Sequence, residues 1–208
     1  MLEIKNLRLK YIDSKDFILD GISFNLRKGE IFSILGPSGC GKTTLINAIG
    51  GLLDENEVIL HGEVNLHNEN IGIVFQTPSL IPWKTAYENI SIVLKKQDDE
   101  KILRLFKMVD LQGYEGYFPK KLSIGMQQRL NFIRALAIDP DILLLDEPFS
   151  ALDTVTKKKI MTEFKDILED RNIACIFVTH NENEAEFLSK KIIYLTQKPT
   201  KIKKTENA

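Results

Sequence analysis

Cysteine is scarce in this chain. Two residues, Cys40 and Cys175, stand far apart in 208, which argues against a disulfide framework and against a thiolate metal cluster. Long apolar runs are missing too, since none approaches the roughly 18 residues that a membrane-spanning helix needs. The N-terminus, MLEIKNLRLKYI, alternates charged and apolar residues where a secretory leader would carry a continuous apolar segment, so the chain is expected to stay in the cytoplasm. Nor is one sign of charge in surplus. Lys plus Arg number 28 against 29 Asp plus Glu, a formal net charge of −1, which disfavours a domain whose main task is gripping nucleic acid. Internal repeats, low-complexity tracts and long heptad runs are absent. The terminal KKTENA reads as a solvated tail.

What is present is ordinary globular material, 43% hydrophobic and 27% charged, enough for a sizeable core in one large domain or in one with an embedded subdomain. LEIKNLRLKYI and FILDGISFNL alternate as antiparallel strands do, and the turn-like RKGE closes them. EIFSILG, IGIVFQ, DILLLDEP and IACIFVTH read as short buried strands. With helices between them they predict an α/β fold built on a mostly parallel sheet. Between Gln76 and Pro140 the texture turns helical: TAYENISIVLKK, then DDEKILRLFKMVDL, then a helix capped by Ser123. That last helix start is a ready anion site, because its first N–H groups are unpaired and the helix dipole points there.

A stronger phosphate motif precedes it. Gly36-Pro37-Ser38-Gly39-Cys40-Gly41-Lys42-Thr43 satisfies G-x-x-x-x-G-K-[ST] between an apolar strand and the helix KTTLINAIGGLL. The glycines let successive N–H groups curl around phosphate oxygens, Lys42 neutralises β/γ charge, and the Thr43 hydroxyl can ligate Mg²⁺. Cys40 reads as a small filler inside the loop. A phosphate loop alone does not separate kinases, GTPases and ATPases. In ILLLDEP, Asp146 and Glu147 end an apolar strand, where a parallel sheet presents its ligands. Asp146 would hold Mg²⁺ through water, and Glu147 would orient or deprotonate an attacking water. Taken alone, Asp-Glu-Pro has a second, lesser reading as a strand exit that caps the next helix.

Six stretches, GPSGCGKTT, IGIVFQ, LSIGMQQR, DILLLDEP, SALD and VTH, in this order and spacing, resemble the nucleotide-binding subunit of ATP-binding cassette transporters over essentially the whole chain. The resemblance implies a P-loop NTPase with a RecA-like core and an N-terminal antiparallel β subdomain. Residues 1–76 and 139–208 would form this α/β part, and 77–138 a helical subdomain carrying the signature motif. ATP and Mg²⁺ are the implied cofactors. Residues Gly36 through Thr44 would hold the phosphates, with Thr43, Gln76 and Asp146 around the metal. Gln76 would also sense the membrane partner, Glu147 act as catalytic base, His180 touch the γ-phosphate, Tyr11 stack on adenine, and Asp153 communicate across a dimer. Tyr11 is otherwise a sheet-surface tyrosine. Two subunits, expected to be identical, would pack head to tail so that Ser123 and Gly125 of one cover the nucleotide of the other. The implied partners are integral membrane permease subunits and, indirectly, a solute-binding protein, with no nucleic acid and a place on the inner face of the cell membrane.

Gln76-Thr-Pro-Ser-Leu-Ile-Pro-Trp-Lys-Thr85, Met126 after Gly125, and YLTQKPTKI resemble the nitrate, sulfonate and taurine importer branch; importers of thiamine-related pyrimidines share these features. Trp83 is either core of the helical insert or part of the groove that receives a permease helix. Ile124 stands where the family usually has glycine, a departure expected to sit poorly if the backbone there needs positive φ. The chain ends soon after His180, so regulation through a longer tail is not expected. Two rival readings are a soluble cassette ATPase acting on ribosomes or DNA, and a regulatory cassette of low turnover.

Overall fold

The structure, a computed structural model, describes residues 1–67 and 69–207. Strand β1 (Leu2–Tyr11) pairs antiparallel with β2 (Leu19–Leu26) on one side and β4 (Val58–Asn65) on the other. Its buried residues switch from even to odd positions, Leu2 and Ile4, then Leu7 and Leu9. A bulge explains the switch: both ladders shift register there, and Asn6 takes φ 48°. One extra residue keeps the apolar face turned to the core on both sides of it.

A six-stranded sheet carries the site. Its order is β5 (Ile71–Val74), β6 (Ile142–Asp146), β7 (Ala174–Thr179), β3 (Ile31–Leu35), β8 (Lys191–Leu195) and β9 (Ile202–Asn207). The first five run parallel and β9 runs antiparallel to β8. Strands β6 and β7 are buried at every position, which is why they read as unbroken apolar runs. Register places Leu35 beside Thr179 and Asp146 beside Val178, so the loops leaving β3, β6 and β7 emerge side by side. The terminal KKTENA is a correction to expectation: Lys203 to Asn207 belong to β9, paired with β8, and Ala208 lies outside the described residues.

Helix α1 (Lys42–Ile49) follows β3. Helices α2 (Ala86–Ser91), α3 (Asp99–Met108) and α4 (Ile124–Leu136) lie between β5 and β6, and α5 (Thr154–Asp170) and α6 (Glu182–Leu188) frame β7. A capping box starts α2: Glu88 N–H donates to the Thr85 hydroxyl, and Thr85 N–H donates to the Glu88 carboxylate. Phe132 of α4 stacks on Phe164 of α5, and Phe149 and Phe177 continue that core up to the sheet. A second core lies between the sheet, α1 and the antiparallel strands. Burying each such phenylalanine contributes about 2–3 kcal/mol, and the Arg129–Glu163 ion pair at 2.8 Å adds a polar link between α4 and α5. Among the described residues no helix is long and apolar enough to cross a membrane.

Candidate functional site

The phosphate loop spans Gly36 to Gly41, between β3 and α1. Gly39 and Gly41 take φ +74° and +110°, a region costly for other residues. A Cβ at Gly39 would meet nothing within 4 Å, so the space beside it is open, whereas one at Gly41 would run into Ile18 at 2.8 Å. Pro37 and Ser38 complete the rim, and Thr43 and Thr44 open α1. Lys42 is only 5% exposed. Its ammonium donates to the carbonyls of Gly36 (2.9 Å) and Pro37 (3.1 Å), which folds the lysine back along the loop. The Cys40 thiol is buried in the core, and burial pushes its pKa up. Its carbonyl accepts a hydrogen bond from the Thr200 hydroxyl, which ties the loop to the segment before β9.

At the end of β6, Asp146 is buried. Burial raises its pKa, and the neighbouring Thr43 hydroxyl pulls the other way. Two hard oxygen donors side by side, with no thiolate or imidazole between them, suit Mg²⁺, which takes one or two protein ligands and completes its shell with phosphate and water. Among the described residues no group of three or more His, Cys, Asp or Glu gathers to hold a metal without a substrate's help.

Glu147 breaks out of the strand with φ 45°, and its N–H is held by the Val178 carbonyl at 2.9 Å. Its carboxylate is shared: Oε1 lies 3.3 Å from the Lys42 ammonium and Oε2 lies 2.9 Å from His180 Nδ1. Lys42, Glu147 and His180, from three separate stretches of sequence, therefore form one continuous polar contact. Gln76, just beyond β5, donates through Nε2 to Ser150 Oγ at 3.2 Å, three residues past Glu147.

Tyr11 ends β1, half exposed, and lines a cleft of about 570 Å³ with Phe17, Ile18, Lys198 and Pro199. Ile18 also walls Gly41, so the cleft runs up to the phosphate loop and offers an aromatic face for a planar base. Asp153 caps α5, accepting from the N–H groups of Val155 and Thr156, both at 3.1 Å; the Thr156 side chain first, then these N–H groups, hold its carboxyl below the usual range. Ser123 caps α4, accepting from Met126 N–H at 3.3 Å. At Ile124 the condition for backbone strain is not met. Ile124 is the first residue of α4 and is not among the residues with positive φ, so no backbone strain arises; its side chain is 49% exposed. Gly125 is the tight position, because a Cβ there would lie 3.1 Å from the Thr156 methyl of α5, which would have to shift by a few tenths of an ångström. Trp83 is 76% exposed, which removes the reading of it as core. The loop bearing it is pinned by buried Asn89, whose amide bonds Ile81, Lys84 and Thr85.

Sequence reasoning missed Ser150 and Gln128. Gln128 Nε2 donates to the Gln76 carbonyl at 2.9 Å. The signal was present, a polar residue on the face of a helix whose neighbours Leu130, Phe132 and Ile133 are all buried.

Phosphate cradle, buried aspartate and shared glutamate stand at one end of one parallel sheet, and that convergence defines a P-loop nucleoside-triphosphate hydrolase. The family follows from comparison: a family model described as "ABC transporter" matches residues 19–150, and the chain belongs to that family as an ATP-hydrolysing cassette. A model of an AAA domain, described as putative AbiEii toxin of a Type IV TA system, matches 119–186, a stretch without the phosphate loop. The aliphatic sulfonates import ATP-binding protein SsuB of Bacillus cereus is 42% identical over 193 residues, 90% of this chain and 77% of that one. The taurine import ATP-binding protein TauB of Rhizobium johnstonii is 37% identical, over 88% of this chain and 74% of that one. Among solved structures, dimeric MJ0796, a bacterial ABC transporter cassette, matches with TM-score 0.84 at 33% identity, over 100% of this chain and 98% of that one. A post-hydrolysis dimer of the same cassette bound to ADP and Pi gives TM-score 0.83.

Proposed function

We propose that this chain is the motor subunit of an importer for a small solute of the nitrate, sulfonate or taurine type. It would work as a pair of identical cassettes on the inner face of the cell membrane, docked on integral permease subunits that receive solute from a binding protein. The observation that carries the chemistry is the Glu147 carboxylate held between Lys42 and His180. The sulfonate and taurine relatives support the importer branch, and the dimeric cassette supports the pairing. In this reading residues 1–208 are one domain, with 77–138 an inserted helical arm.

The residues divide the work. Phosphate oxygens entering the Gly36–Gly41 loop compete for the Lys42 ammonium, which leaves Glu147 for them and frees Oε1 to accept a proton from water in line with the γ-phosphate. His180 keeps Oε2 and so fixes the plane of the carboxylate. Asp146 and Thr43 would hold Mg²⁺, which supplies charge neutralisation across the β- and γ-phosphates when bound. Tyr11 would stack on the base. Ser123 and Gly125 would close the site from the second copy, with Asp153 at the seam.

Trp83 tests the importer half of the proposal. The complex, solubilised from membranes by a tag on this chain, is expected to contain an integral permease, and Trp83→Ala is expected to lose it while keeping ATP turnover and melting temperature. Purification without any membrane partner, or a partner bound equally by Trp83→Ala, counts against this assignment. Lys42→Ala tests the catalytic half: unchanged ATP turnover rejects the site.

A further inference from the structure

The buried side of α4 carries a polar stripe that the mechanism above leaves unused. Gln128 is 1% exposed; its Nε2 donates to the Gln76 carbonyl at 2.9 Å, and its Oε1 has no hydrogen-bond partner among the described residues. Asn131, one turn on along the same face, is as deeply buried. Its Oδ1 accepts from Arg134, and its Nδ2 is without a partner among the described residues. Arg134 completes the stripe by donating to the Ser79 carbonyl at 2.8 Å and to Ser79 Oγ at 3.0 Å. Both ends of the loop from Gln76 to Ser79 are therefore fastened to one helix.

Stability does not explain this arrangement. An unmet buried amide oxygen costs about 1–3 kcal/mol, and leucine would fill nearly the same volume without that cost. A hydrogen bond to a main-chain carbonyl supplies what apolar packing lacks, a single rotation and height of the helix against the loop. Helix α4 has 13 residues, a rod of about 20 Å, with Ser123 at its exposed start. On its other side the loop reaches the catalytic strand: Gln76 Nε2 donates to Ser150 Oγ, and Ser150 N–H donates to the Glu147 carbonyl at 3.2 Å.

We infer that Gln128, seconded by Arg134, is a positioning residue that fixes the start of α4 to the Gln76 loop and, through Ser150, to the Glu147 segment of its own subunit. The half-site a subunit offers its partner is thereby set in register with the half-site it keeps. This inference rests on the two-subunit reading proposed above.

A mixing experiment separates the two. The unmodified chain is diluted until it turns over too slowly to measure, and an excess of a Glu147→Gln helper is added. The helper does not hydrolyse, so any turnover comes from the unmodified chain's phosphate loop closed by the helper's α4. A helper carrying Glu147→Gln and Gln128→Leu is expected to restore a kcat lower by about tenfold, a modest share of what misplacement near 1 Å costs. The KM for ATP, set by the unmodified subunit, should change less than about twofold, and the helper's melting temperature should fall within about 4 °C of the single variant, a shift of about 1 kcal/mol or less. A Glu147→Gln helper with Arg134→Lys, which keeps the charge and loses the fork, should be impaired in the same sense and stands in if the leucine variant does not fold. Equal rescue by the altered and unaltered helpers overturns the inference. If the Glu147→Gln helper itself rescues nothing, the two-subunit reading fails, and the inference falls with it.

Discussion

Lys42 and Glu147 form an ion pair of 3.3 Å across the mouth of the phosphate loop, with the lysine 5% and the glutamate 16% exposed. In the roles proposed above, the cation for phosphate is engaged by the carboxylate for water. Nucleotide binding would then part them and couple occupancy of the loop to release of the base.

Replacing Glu147 with Gln removes that competitor and keeps the size of the side chain. ATP affinity is expected to be equal or higher, hydrolysis to fall by about 10²-fold or more, and a stable dimer to accumulate with Mg-ATP on a sizing column. A variant that remains monomeric at saturating ATP and high protein concentration contradicts the pairing.

Both cysteines should be inert in the folded chain. Cys40 and Cys175 are buried, and burial raises both thiol pKa values; the thiolate is the nucleophile. Iodoacetamide at pH 7.5 is expected to label neither until denaturant is added, with intact mass as the readout. Rapid labelling of Cys40 in the native chain, with or without ATP, would place its thiol outside the core.

Asp153 gives a pH signature. Its folded pKa is lowered by hydrogen bonds from Thr156 and Val155, so the ionised cap contributes stability fully above the ordinary aspartate range, and that contribution is lost as pH falls through the folded value. Asp153→Asn keeps an acceptor but does not ionise. The melting-temperature advantage of the unmodified chain over this variant should be largest near neutrality and shrink as pH drops below the ordinary aspartate value of about 4. A pH-independent difference contradicts the assigned cap.

Ile124→Gly should cost about 1 kcal/mol as a helix residue, visible as a lower melting temperature. Removing a half-exposed branched side chain from the start of α4 should nonetheless bring its N–H groups closer to the partner's nucleotide, raising turnover about threefold or more and tightening ATP-driven dimerisation, an effect of roughly 1 kcal/mol. An unchanged or lower rate with the fold intact makes Ile124 neutral and removes it as a mark of a low-turnover cassette.

The parts of the fold that announced themselves were the fully buried ones. Strands β3, β6 and β7 and the glycine loop could be read because burial on both faces and tight phosphate geometry leave few residue choices. Strand β9, IKKTEN, is exposed at all but its first residue, and no apolar alternation separates such an edge strand from a tail. Strand β4 is similarly open to solvent and went unread. At the site, motif residues could be assigned in advance, but the contacts among them could not. That Glu147 bridges Lys42 and His180 depends on three strand ends meeting, and the grip of Gln128 on Gln76 spans 52 positions. Both are products of sheet order, which local pattern does not encode.

The left-handed backbone at Glu147 sets folding against catalysis at a single residue. Any side chain there carries a conformational cost of about 1 kcal/mol that glycine escapes. Glu147→Gly should therefore melt higher than Glu147→Ala, although both have lost the carboxylate and with it the bond to His180. A chain selected for folding alone would drift toward glycine at this position; in the proposed role, glutamate there marks the place where this molecule accepts a less comfortable backbone in order to hold a base at the end of an interior strand.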